Sequence, residues 1–204
     1  MTIHWVVFLA GAFFGFLPGF RLLNTECRYL VFDDLWTKLR ETEKSQQRRR
    51  KWWKLPLVWI DPVRGYVTAN LLMQAFEASP EAKAFGRLLP TLLGGSFLLI
   101  SVFIQTCGRR DVRESISPAG FLAGVLVAML PPTVSGAAII IGAATAIAMR
   151  NYIAGYALAM ITMAGIGYVF MGISVSLAIA VAAVGLPVLL NWLRGTRMVT
   201  PVRC

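Results

Sequence analysis

Residues 117–190 read SPAGFLAGVLVAMLPPTVSGAAIIIGAATAIAMRNYIAGYALAMITMAGIGYVFMGISVSLAIAVAAVGLPVLL, and Arg150 is their only formal charge. A helix in water needs a solvated polar face, and this stretch offers none. Pro131-Pro132 breaks its first half, because the residue before a proline is pushed out of the helical region. Ser117–Met149 is therefore expected as two short helices of about 13 and 17 residues. Each falls short of the ~20 residues a full membrane span needs, so the pair reads as a tight transmembrane hairpin or a re-entrant one. Tyr152–Met171 and Gly172–Leu190 follow as two further spans joined by a very short turn. Arg150, Asn151, Tyr152 and Tyr156 read as an interfacial anchor.

Moving toward the N-terminus, Leu88–Cys107 is a clean span of 20 residues. Leu55–Ala78 is long enough to cross but contains Asp61 and Arg64, and Pro62 is expected to interrupt its helix. Asn24–Lys54 is the polar part of the chain, with nine Lys/Arg and five Asp/Glu. Within it Phe32, Leu35, Trp36 and Leu39 recur at i, i+3, i+4 and i+7, one face of an amphipathic surface helix. Ile3–Phe20 carries no formal charge, no basic leader and no small-residue cleavage site, so it reads as a retained first span.

The whole chain agrees with this local reading. Of 204 residues, 57% are hydrophobic and 15% charged, against roughly 45–50% and 25% in soluble domains. Mean hydropathy is +0.65. A soluble globular fold and intrinsic disorder are both excluded by so much clustered apolar surface. The expected fold is an all-α polytopic integral membrane bundle with about six membrane segments, including the proline-broken pair. Its parts are a first transmembrane helix (1–23), a basic cytoplasmic loop (24–54), a transmembrane bundle (55–193) and a cytoplasmic tail (194–204).

Twenty Lys/Arg against ten Asp/Glu give a net charge of +10. Positive residues favour the cytoplasmic side, which tests the ambiguous segment. If Leu55–Ala78 crosses and the N-terminus is outside, 17 Lys/Arg lie inside and 2 outside. If it does not cross, the counts are 13 and 7. The crossing topology is preferred, with a cytoplasmic C-terminus in an inner (plasma) membrane.

Four features carry possible chemistry. Asp61 and Arg64 are intramembrane charges, costing at least ~2.5–3.5 kcal/mol each at the bilayer centre, and Asn70 and Gln74 add polar atoms on the same segment. They suit either a polar site or a self-satisfied pair. Arg48, Arg49, Arg50, Lys51, Trp52, Trp53 and Lys54 form a basic–aromatic cluster suited to an anionic leaflet or an acidic partner. Gly11, Gly15 and Gly19, and Gly120 and Gly124, recur every four residues, a spacing that lets helix backbones approach closely. Pro131-Pro132 could leave unwound backbone at membrane depth, as transporters do.

No nucleophile–base pair, Walker A, GxSxG, HExxH or dinucleotide fingerprint occurs. Cys27, Cys107 and Cys204 are odd in number and far apart, and His4 is the only histidine, so neither metal nor cofactor is expected. The leading expectation is a non-enzymatic membrane subunit or scaffold, contacting membrane lipids and other membrane subunits or itself, with no nucleic-acid role. A small-solute or ion transporter using Asp61, Arg64 and the proline break is the alternative. A lipid-head-group enzyme comes third.

Overall fold

The computed structural model describes residues 1–17, 28–30, 56–81, 83–111 and 114–203. Seven helices run through them: α1 (Trp5–Phe16), α2 (Pro56–Gln74), α3 (Ala84–Thr106), α4 (Ala119–Met129), α5 (Pro132–Met149), α6 (Tyr152–Met171) and α7 (Val175–Arg194). Four contain stretches long and apolar enough to cross a membrane: Phe85–Thr106 of α3, and α5, α6 and α7 entire. Apolar side chains cover their outer surfaces. Ile140, Val169 and Trp192 are 70%, 78% and 76% exposed, which suits hydrocarbon as solvent and points to a membrane location.

Several boundaries differ from the expectation, each for a local reason. The first apolar run yields a helix of only 12 residues. Leu17 is already extended, at φ −68° and ψ 111°, because Pro18 follows it. Pro62 does not interrupt α2, which runs unbroken for 19 residues. Proline removes one donor, and α3 and α7 likewise run through Pro90 and Pro187. Membrane helices tolerate such losses when neighbours satisfy the freed groups. The proline pair does divide 117–149, into helices of 11 and 18 residues, so α5 reaches span length where it was expected to fall short. The last helix begins at Val175 rather than Gly172, since Gly172 turns the chain at φ +64°.

Caps fix the turns. Asn151 Oδ1 accepts from Ile153 N at 2.9 Å to start α6, and Ser174 Oγ accepts from Leu177 N at 3.2 Å to start α7. Helix α5 ends on Arg150 in the left-handed region, φ 51°.

The helices alternate in direction between two ends. At one, β1 (Thr2–Ile3) pairs antiparallel with β3 (Phe76–Glu77), joining the start of α1 to the end of α2. At the other, β2 (Arg28–Leu30), β6 (Arg197–Arg203), β5 (Glu114–Ile116) and β4 (Arg109–Asp111) form one sheet in that order. An all-helical reading does not anticipate these short strands. Their consequence is that the first loop, the middle loop and the tail share one end, bringing Arg28, Arg109, Arg110, Arg197 and Arg203 into a single sheet. Lys83 and Arg87, at the start of α3, lie toward the opposite end.

The core joins Leu72, Leu98, Phe121, Val125, Val134, Met163 and Val184, drawn from α2 to α7. Glycines set the closest approaches. A Cβ on Gly65 would strike the Phe121 carbonyl, and one on Gly124 the Pro62 carbonyl, so α2 and α4 meet backbone to backbone. At the α5–α6 contact, a Cβ on Gly142 would lie 2.8 Å from Ala159 Cβ, and one on Gly155 2.6 Å from Ala146 Cβ.

Candidate functional site

Three residues apart on a continuous helix, Asp61 and Arg64 fall on one face of α2. Arg64 Nη1 donates to Asp61 Oδ1 at 3.1 Å. The same guanidinium donates through Nε to the Phe14 carbonyl at 3.2 Å and lies 5.5 Å from the centroid of the Phe121 ring. Arg64 is 4% exposed and Asp61 21%. Phe14 sits in the last turn of α1, where carbonyls lack intrahelical partners.

A second side chain completes that cap. Gln105 Nε2, from the last turn of α3, donates to Gly15 O at 2.7 Å and to Leu17 O at 2.9 Å. Beside it, a Cβ on Gly15 would meet Thr68 and Ser101, so α1, α2 and α3 converge on one glycine. A helix that stops after 12 residues exposes its carbonyls early, and Arg64 and Gln105 supply the donors that lipid lacks. Gln105 was invisible as a functional residue because a glutamine near a helix end carries no motif. The signal available was Pro18, which ends α1 early and creates the demand for donors.

The other polar candidates do not join this pair. Asn70 Nδ2 donates to its own helix at Tyr66 O, 3.0 Å away, and Gln74 is exposed. The proline break also closes on itself. Ser135, buried, donates from Oγ to Pro131 O at 3.1 Å, and the Val134 and Ser135 amides bond the same carbonyl. Gly11 packs on Leu71 and Leu72, and Gly120 on Asp61 and Pro62, so these glycines serve contacts within the chain. Gly19, the cluster Arg48–Lys54 and the amphipathic stretch 32–39 lie outside the described residues.

At the sheet end a second polar group is buried. Asn191 Oδ1 accepts from Thr196 Oγ1 at 2.6 Å and from Ser115 Oγ at 3.3 Å, tying the end of α7 to β5. Ser117 Oγ and Tyr156 Oη are 2.7 Å apart, joining the entry of α4 to α6. Arg194 Nη2 donates to Cys107 Sγ at 3.3 Å, and its guanidinium lies 6.0 Å from the Phe103 centroid, holding α7 to α3. Among the described residues no group of three His, Cys, Asp or Glu side chains could hold a metal ion.

A cleft lies elsewhere in the bundle. About 280 Å3 in volume, it opens between α4 and the α5–α6 pair, with Leu122, Leu126, Ile139, Ala143, Ile147 and Tyr156 among its walls.

Comparison with protein-family models, with curated proteins and with solved structures finds no match to this chain.

Proposed function

We propose that this chain is a non-enzymatic integral membrane subunit or scaffold. It sits in a plasma (inner) membrane with its N-terminus outside and its arginine-bearing sheet in the cytoplasm. The observation that carries this reading is the use made of buried polar side chains. Arg64 and Gln105 cap α1, Asn191 and Ser115 hold a helix to a strand, and Ser135 closes a turn. Each of these side chains serves the fold, and none of the five lines the cleft as a pathway or a nucleophilic centre would require.

Docking then falls to the sheet end and its adjoining basic loop. Arg28 and Arg203 are register partners in β2 and β6. A sheet and loop this rich in arginine suit an anionic leaflet or an acidic partner. The glycine faces are engaged inside the bundle, so partner helices would meet the exposed apolar faces of α5 and α6 instead. The transporter alternative finds no support in a cleft whose walls are apolar but for Tyr152 and Tyr156 at one end.

Purification of the full chain from its native membrane in mild detergent tests the proposal. A co-purifying membrane partner in fixed ratio, lost when the basic cluster Arg48–Lys54 is neutralised, is the expected result. A stable monomer that carries no partner, or uptake of a solute abolished by Asp61→Asn, would overturn it. Orientation is read separately. With native cysteines replaced, a cysteine at Glu81 is labelled from outside intact cells, and one at Arg197 only after permeabilisation.

A further inference from the structure

The proline pair turns the chain, but its two arms do not close on one another. Helix α4 packs chiefly on α2 and helix α5 chiefly on α6, and the cleft of about 280 Å3 opens between them. Its wall on α5 runs from Ala138 to Ile147, ten residues with about 13 Å of helix between the first and the last. That is close to half the ~30 Å hydrocarbon thickness, so the cleft has the depth of one leaflet. Small side chains leave the space: Ala119 and Ala123 on α4 face Gly142, Ala143 and Ala146 on α5. Ala143 and Ile147 are exposed, which makes the opening lateral, toward lipid.

The cleft has a polar end and an apolar end. Ile147 and Tyr152 both line it, and Arg150 stands in the turn between them. Tyr156, also in the wall, presents its hydroxyl to Ser117 at the root of α4. Beyond them lies the sheet with its arginines. The deep end, at Leu126, Ile139 and Ala159, carries only hydrocarbon. An occupant matched to both ends is an amphiphile with an apolar tail about one leaflet long and an anionic head.

We infer that the cleft between α4 and α5 is a site for one acyl chain of an anionic phospholipid, whose phosphate sits at Arg150 and the arginine-bearing end. The site is independent of whether the chain docks a protein partner.

The test uses the full chain in nanodiscs doped with phosphatidylglycerol that carries a photoactivatable group midway along one acyl chain. Cross-linked residues are mapped by peptide mass spectrometry. Labelling is expected to concentrate on Leu126, Ile139 and Ile147. Ala143→Trp fills the cleft from its exposed wall, and denying contact to about two methylenes lowers labelling about tenfold. Ile140→Trp, at an exposed position outside the cleft wall, controls for folding and leaves labelling unchanged. Arg150→Gln is expected to reduce the preference for phosphatidylglycerol over phosphatidylcholine about fivefold, the effect of one basic residue near an anionic head. Labelling spread equally over the outer faces of α6, or insensitive to Ala143→Trp, would overturn the inference. So would a partner helix cross-linked in the cleft in place of lipid.

Discussion

Replacing Arg64 with Met removes two things at once. Asp61 loses the partner of its 3.1 Å ion pair, and the Phe14 carbonyl loses its donor. Arg64 is 4% exposed, so the void left is not simply filled by bulk solvent. Breaking a buried pair from one side costs about 3–5 kcal/mol, because the surviving charge stays desolvated. An uncapped carbonyl adds about 1–3 kcal/mol. The two overlap, since Asp61 is partly exposed and can relax, and a loss of about 4 kcal/mol is expected. Asp61→Asn should cost less, about 2 kcal/mol, because Arg64 keeps the Phe14 carbonyl and the Phe121 ring. In the double variant Asp61→Asn with Arg64→Met the stranded charge disappears, so the losses should fall short of additivity by about 2 kcal/mol. Arg64→Lys should recover only part of the stability, since a point charge cannot serve the carboxylate and the carbonyl as a planar fork does. Reversible unfolding of the full chain in mixed micelles, followed by tryptophan fluorescence, measures all four. Additive losses under about 1 kcal/mol for each single variant would refute the account of Arg64 as the fastener of α1.

Three further outcomes follow from the same geometry. Gln105→Leu frees the Gly15 and Leu17 carbonyls and should lower stability by about 2 kcal/mol in the same unfolding assay, with α1 exchanging its amides faster. Gly124→Leu drives a side chain into the backbone of α2 and should abolish the monodisperse peak on size-exclusion chromatography, whereas Gly136→Leu, with open space around it, should leave the peak intact. Gly195→Ala places a side chain on left-handed backbone, φ 57°, at the end of α7 and should lower the thermal midpoint, a loss of about 1 kcal/mol.

Much of this architecture could be read from apolar runs and prolines. Pro131-Pro132 divides α4 from α5 where expected, and the runs after Arg150 become α6 and α7 nearly residue for residue. Errors arose where proline's effect depends on surroundings. Pro62 sits inside an intact helix, while Pro18, given no weight, ends α1. Steric rules describe what proline forbids locally, and tertiary packing decides whether the chain bends or continues. Asp61 and Arg64 could be matched from spacing alone, yet their shared duty toward α1 could not. That duty depends on where a third segment stops. Gln105 and Gly65 lacked signals of their own, since their roles come from carbonyls far away in sequence. Gly142 with Ala146 and Gly155 with Ala159 did repeat the four-residue spacing already noted at Gly11 and Gly120, and could have been found by it.

Strand β6 is central in its sheet, flanked by β2 on one side and β5 on the other, which do not touch each other. It is also the last of the described strands in chain order. The Arg28–Leu30 segment therefore gains its neighbour only once residues 200–203 have been made, and the closure spans a very long separation in sequence. A chain cut short after α7 would keep its helices and lose the keystone that fastens beginning, middle and end together.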